Sequence, residues 1–216
     1  MTRIFALTQV QRLVKTTTGG SVNADLANVL LDESQNYVTE RLPDILAGGL
    51  MVGVSIVEPI SSGADLPCFS KPDGFVKLKV LKKQVSATGI VPVEEIDYNE
   101  LIDIYAKSQF GNLSTCSSNL CAHRGSYIYY YPKLIAQTNF FVEYRREPTE
   151  WVDDTQESDI TYKPALWWVI YWTCARLFLL DSKPDKASAM IQLINAGIKE
   201  TNSLYKIHIP DFLIPQ

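Results

Sequence analysis

Between Leu166 and Trp172 the sequence Leu-Trp-Trp-Val-Ile-Tyr-Trp sets Trp167, Trp168, Tyr171 and Trp172 within two turns of a helix. At 3.6 residues per turn those rings point in nearly every direction, and a helix that is apolar all round has no side it can show to water. The surrounding run, Pro164–Leu180, holds one charge, Arg176. Pro164 suits a helix start, where its missing N–H costs nothing. The pattern therefore predicts a helix from Tyr162 to Leu180. It falls short of the roughly 20 residues a spanning helix needs, which favours a buried helix over a membrane segment. Enclosing such a helix inside one chain of 216 residues is demanding. Two readings stand side by side: its own bundle covers it, or some of Trp167, Trp168, Tyr171 and Trp172 meet a neighbouring subunit, where Trp and Tyr are enriched.

Around this helix the periodicity changes twice. Ile4–Val14 reads as a short helix, broken by the glycines at 19 and 20. Asn23 is a suitable cap for a second helix reaching Leu42, with Leu26, Val29, Leu30, Tyr37, Val38 and Leu42 near one face. Leu50–Pro67 is rich in Gly and Pro and reads as loops with one strand at Met51–Val57. From Gly74 to Leu81 residues alternate, with Val76, Leu78 and Val80 on one side and Lys77 and Lys79 on the other. Ile90–Ile96 continues as strand and Asp97 caps a short helix to Lys107. Ser108–Gly125 reads as a polar loop, and Ser126–Tyr131 and Thr138–Arg145 as a strand pair. A last helix follows Pro184, with Ala187, Met190, Ile191, Ile194 and Ile198 on one face. The expected architecture is α+β: a mainly α-helical bundle formed by residues 1–50 and 160–204, a small antiparallel β-sheet inserted at 51–159, and an extended C-terminal tail at 205–216.

Charge and motifs narrow the function. The formal net charge is −4, whereas proteins that grip nucleic acid usually carry a basic surface. Contact with DNA is then expected to be transient; an acidic wall lets phosphates slide past without drag. The N-terminus turns polar by its ninth residue, unlike a signal peptide, so the four cysteines are expected to be free thiols in a reducing compartment. Cys116-x4-Cys121-x-His123 lacks the second ligand pair a zinc knuckle needs, and reads as a plain loop. With only His123 and His208 in the chain and no G-x-S-x-G elbow, no catalytic residue is assigned. Glu94, Glu95 and Asp97 are the carboxylates a metal-dependent enzyme would have to use. No phosphate-cradling glycine motif occurs, and neither a metal nor a cofactor is expected. Asp153-Asp-x-x-Glu-x-Asp159 reads as a solvated acidic loop. The tail holds Ile207, Ile209, Phe212, Leu213 and Ile214, too much apolar surface to dangle in water, and favours docking on a partner.

The middle and later parts of the chain also carry a resemblance. The elements are Lys77-x-Lys79-x-x-x-Lys83, Val91-Pro-Val-Glu-Glu-Ile-Asp-Tyr-Asn-Glu-Leu101, Gly125-Ser-Tyr-Ile-Tyr-Tyr-Tyr-Pro132 and Phe141-Val-Glu-Tyr-Arg-Arg-Glu-Pro148. An acidic loop then leads to Tyr162-Lys-Pro-Ala-Leu166 and a helix ending Cys174-Ala-Arg-Leu-Phe178. Over Pro72–Ser203 this order resembles the head-to-tail adaptor family of tailed phages, the tail tubular protein A group, with a narrower likeness to neck rings of crAss-like gut phages. The resemblance implies a non-enzymatic structural protein of the virion neck, assembled in the host cytoplasm into a ring, commonly of twelve copies. Its partners would be the portal protein, the tail or the next ring, further copies of itself, and passing DNA, but no membrane. Closed rings need two different sticky faces per subunit. Trp167, Trp168, Tyr171, Trp172, Arg145 and Arg146 are the expected subunit interface, and Ile207, Ile209, Phe212, Leu213 and Ile214 the expected portal-docking tail.

Overall fold

A computed structural model describes residues 1–18, 22–58, 66–86, 88–109, 118–134 and 137–213. The chain divides into two compact units, Met1–Leu50 together with Glu147–Gln216, and Met51–Arg146. The acidic segment 147–159, expected with the β-rich part, belongs to the helical unit.

The helical unit is built around the apolar helix α4 (Lys163–Leu180). Packed against it are α1 (Arg3–Thr18), α2 (Ala24–Arg41) and α5 (Pro184–Tyr205). Asn23 caps α2 as expected, its side chain accepting from the backbone N–H of Asp25 at 2.9 Å and of Leu26 at 3.1 Å. The buried stripe of α2 is rotated from the expected one: Ala27, Leu30, Leu31 and Val38 are inside, while Leu26 and Val29 are exposed. Polar side chains share that stripe because they have partners. Thr173 of α4 donates to the Val169 carbonyl at 2.9 Å and lies 2.9 Å from the Ser34 hydroxyl, which itself donates to Leu30. Gln35 donates to the Thr149 carbonyl and accepts from Ser158 at 2.6 Å. Between α4 and α5 the chain reverses at Ser182, which has a φ of 53°. The Ser182 N–H donates to Leu179 and the Lys183 N–H to Phe178, closing the carbonyl end of α4.

The second unit overturns the expected architecture. Among the described residues the chain holds five α-helices and a seven-stranded mixed sheet that forms a nearly closed barrel, not a helical bundle with a small antiparallel insertion. The strands are β1 (Met51–Glu58), β2 (Cys68–Ser70), β3 (Phe75–Gln84), β4 (Ile90–Glu95), β5 (Leu120–Arg124), β6 (Tyr127–Tyr131) and β7 (Thr138–Arg146), in the order β1-β7-β3-β4-β5-β6-β2. Three features hid this from the sequence. The short β2 lies in a segment where Pro67 and Pro72 signal loop. The strand β5 sits in the stretch expected as a polar loop, and it pairs in parallel with β4. Parallel neighbours need a crossover connection, and α3 (Tyr98–Gln109) lies on that crossover. Finally, β6 and β7 are not a hairpin: both edges of β7 are taken, by β1 and β3.

Every strand sends side chains into one core, including Val54 and Ile56 of β1, Phe69 of β2, Leu81 of β3, Val93 of β4, Cys121 of β5, Ile128 and Tyr130 of β6, and Phe140, Val142 and Tyr144 of β7. Strict alternation fails in β3, where Leu78 and Leu81 are both buried although three apart. A register shift between Leu78 and Val80 supplies the extra residue, and another between Phe75 and Lys77 leaves Val76 exposed rather than facing inward with Leu78. On the opposite face of β5 and β6, α3 covers Leu120 and Ala122 with Leu101. Gly125, with φ of 54°, sits at the first central position of the two-residue turn joining Arg124 to Tyr127, where a primed hairpin turn requires positive φ.

Gly197 gives a test of the helical packing. A methyl group there would lie 2.8 Å from the Nε1 of the buried Trp168 indole. In an open helix Gly→Ala stabilises by about 1 kcal/mol. Here overpacking should cost about 1–3 kcal/mol. Gly197→Ala is expected to lower Tm in a thermal melt; a rise would show that α4 and α5 are less closely packed than described.

Candidate functional site

The four rings of α4 divide between core and surface. Trp168 and Trp172 are buried in their own helical unit, Tyr171 is half-buried, and Trp167 is 38% exposed. Trp167 stands edge-on to Phe5 of α1, with ring centroids 6.4 Å apart, and lies 5.9 Å from Tyr171. Phe5 and Ile4 are themselves exposed. The expected interface set is thereby corrected: Trp167 and Tyr171, joined by Ile4 and Phe5, form an aromatic surface, while Trp168 and Trp172 have no face to offer. Arg145 is also buried, held in β7 with Met51 on one side and Lys77 on the other. Because β7 continues through it, it does not stand out from the sheet as the expected interface residue would. Arg146 is half-buried, opposite Phe75.

The C-terminal segment docks on its own unit. Past Lys206, whose φ of 52° turns the chain out of α5, two asparagines of that helix grip the extended backbone. Asn202 donates to the Ile209 carbonyl at 3.1 Å and accepts from the Ile209 N–H at 2.8 Å. Two turns further back on the helix, Asn195 treats Phe212 the same way, at 3.0 and 2.8 Å. Each side-chain amide imitates a strand neighbour, so the segment needs no sheet. Phe212 then enters an aromatic cluster, edge-on to Trp172 at 5.3 Å and to Tyr37 at 5.0 Å, with Tyr37 stacked on Trp172 at 4.4 Å and the Arg41 guanidinium 3.4 Å over Tyr37. Of the expected portal-docking residues, Ile209 and Phe212 are buried here, Ile207 packs against the same core, and Leu213 is exposed. Ile214 lies outside the described residues. Asn195 and Asn202 were not singled out from the sequence. The available signal was two asparagines seven residues apart inside a helix that an apolar tail follows.

The acidic segment is held by backbone contacts while Asp153, Asp154 and Glu157 stay exposed, as expected of a solvated acidic loop. Carbonyls of Asp154 and Gln156 accept from the Ile4 and Arg3 N–H groups at the start of α1, each at 3.2 Å, and Arg3 also donates to the Val152 carbonyl. Asp153 accepts from the Thr155 hydroxyl and from the N–H groups of Thr155 and Gln156, and these bonds lower its pKa. Asp32 receives the Trp151 N–H at 3.1 Å, yet burial raises its pKa on balance.

In the barrel unit His123 places Nε2 3.1 Å from Glu95 and Nδ1 3.4 Å from the Lys71 ammonium. Since an ammonium can only donate, this geometry makes Nδ1 the acceptor and Nε2 the donor to the carboxylate. The Cys121 thiol, two residues along the same strand, is buried in the barrel core and pushed up to about 12 by burial and by the Glu95 charge. It is no nucleophile at neutral pH. Cys116 lies outside the described residues. Among the described residues no three His, Cys, Asp or Glu side chains gather as a metal site would need, and no helix is long and apolar enough to cross a membrane.

Two measurements test these placements. Asn195→Ala combined with Asn202→Ala should destabilise the protein by about 1–3 kcal/mol and open the bonds after Lys206 to limited proteolysis. An unchanged cleavage pattern would mean that the ring contacts alone hold the segment. Burial also pushes the Cys174 thiol up to about 12, whereas Cys68 is partly exposed and its pKa rises less far. Brief alkylation at pH 8 followed by peptide mapping should label Cys68 ahead of Cys121 and Cys174, which react only after unfolding.

No protein-family model and no curated protein matches this chain.

Proposed function

We propose that this protein is a structural head-to-tail adaptor of a tailed bacteriophage: a neck-ring subunit that joins the portal to the tail and forms part of the DNA channel, without enzymatic activity. The reading starts from the resemblance over Pro72–Ser203. The observation that carries it is the exposed aromatic surface of Phe5, Trp167 and Tyr171. Trp167 leaves a large ring on the solvent side of a helix whose other tryptophans are buried, and such rings are typical anchors of protein interfaces.

A closed ring joins unlike faces, so a second sticky surface is needed. Leu204, Tyr205 and Leu213, each well exposed, supply it at the end of α5 and on the outer side of the docked segment. Contact with the portal then uses Leu213 and its surroundings, since Ile209 and Phe212 are already engaged. The net charge of −4 suits a channel wall that does not hold DNA.

Mass photometry of the protein, alone and mixed with the portal of the same phage, tests the reading. Many copies on each portal are expected. Trp167→Glu should weaken assembly at least tenfold, an interface loss of about 1.4 kcal/mol or more, while the melting temperature of the isolated subunit stays nearly constant. One copy bound without a ring would favour a tail-completion module. A monomer that ignores the portal would overturn the adaptor assignment.

A further inference from the structure

The barrel has two ends, and strand directions assign residues to each. The end of β3 at Gln84, the start of β4 at Ile90 and the start of β7 at Thr138 lie together, because β3 runs antiparallel to both β4 and β7, and Pro132, just past β6, comes to the same place. At that end opens a cavity of about 710 Å³, within the range of small-molecule sites. Its walls include Pro132, Leu134 and Val85, with Thr138 and two cations, Lys83 and Lys133.

Lys83 is the unusual member. Its neighbour in sequence, Lys82, points out of the barrel and pairs with Glu143 at 3.4 Å. Adjacent residues of a strand face opposite ways, so Lys83 points in, on the side of Leu81 and opposite the fully buried Phe140. It is half-buried, and its ammonium meets only a neutral group, the Asn119 side-chain oxygen, at 3.4 Å. Among the described residues no carboxylate pairs with it. Burial accordingly pulls its pKa below the ordinary lysine value. Lys133, by contrast, lies 5.4 Å over the Tyr105 ring. An inward lysine without an anion is costly in a barrel wall. Methionine would fill the same space at lower cost.

We propose that this end of the barrel binds a carboxylate-bearing ligand, its anionic group on Lys83 and its apolar body against Pro132, Leu134 and Val85. The carboxylate replaces the long contact to Asn119 with a charge-assisted hydrogen bond. A single lysine beside an apolar wall matches a monoanion with a hydrocarbon body better than a phosphate, which favours several donors or an arginine fork. The carboxylate could come from a free organic acid or from an acidic side chain of a peptide. The site stands independently of ring assembly.

The probe is hexanoate, titrated into the full chain after its lysines have been labelled by reductive 13C-methylation. Hexanol, inorganic phosphate and the peptide acetyl-Leu-Glu-Leu-amide are titrated in parallel. Saturable hexanoate binding that shifts the Lys83 methyl resonance and raises its titration midpoint is expected. Lys83→Met should weaken it at least tenfold, while the outward-facing Lys82→Met should leave it unchanged. A peptide tighter than hexanoate assigns the site to a partner's acidic residue, and the reverse order assigns it to a free acid; both support the proposal. Hexanol binding as tightly as hexanoate, with Lys83→Met silent, would reduce the cavity to a greasy cleft and overturn it. Phosphate displacing hexanoate at equal concentration would overturn the carboxylate assignment, and so would the absence of saturable binding by hexanoate and peptide alike.

Discussion

Enclosing α4 is the requirement to which the rest of the helical unit answers. A helix with apolar residues on every side has to be covered on nearly every side, and three other helices do not suffice. The C-terminal segment brings Phe212 to Trp172, and the chain leading into α4 brings Trp151 and Ile160 into the same core. Both are irregular chain, whose backbone N–H and C=O groups would be costly to bury unpaired. Side-chain amides and carboxylates solve that problem locally. Asn195 and Asn202 hold the C-terminal segment, while Gln35 and Asp32 hold the acidic one. Polar residues thus sit in or beside an apolar core because they satisfy backbone, which lets apolar side chains on loops reach the helix they must cover.

The barrel unit solves a different problem. Its strands must turn alternate residues inward along a curved sheet, and the accommodation is concentrated in β3. The register shift at Leu78/Val80 resets the alternation so that Leu78 and Leu81 both reach the core. Beyond the shift the same alternation carries Lys83 inward. Its position at the barrel mouth is the consequence of a bulge a few residues earlier.

Much of the helical unit was legible in the sequence, because helix signals are local: Asn23 as a cap, Pro164 and Pro184 as starts, and the Ile191, Ile194 and Ile198 stripe of α5. The α2 face was misread, since Ser34, Gln35 and Thr39 count as surface residues in any hydrophobic pattern and become internal only through distant partners such as Thr173, Thr149 and Ser158. In the barrel the strands β1, β3, β4, β6 and β7 were legible, but β2, β5 and the way the strands pair were not. Pairing of β4 with β5 depends on a crossover carrying α3, and nothing in the composition of Leu120–Arg124 announces a strand. Bulges are silent in the same way, so strict alternation put Val76 on the wrong face. At the candidate surfaces, the sequence identified which residues are large and apolar but not which would be covered: Trp167 and Trp168 are neighbours in the chain and opposite in fate.

One local signal did mark the barrel mouth. Lys82 and Lys83 are consecutive in a segment whose flanks alternate, and consecutive residues of a regular strand point to opposite faces of the sheet. Either the strand ends there or one lysine turns inward. Since β3 continues to Gln84 and Lys83 still pairs with Val91 and Phe140, the second alternative holds. A half-buried lysine on the side of Leu81 and Phe140 brings the fold no stability that an apolar residue would not exceed. Its presence there is better understood as the requirement of something that enters the barrel than as a requirement of the barrel itself.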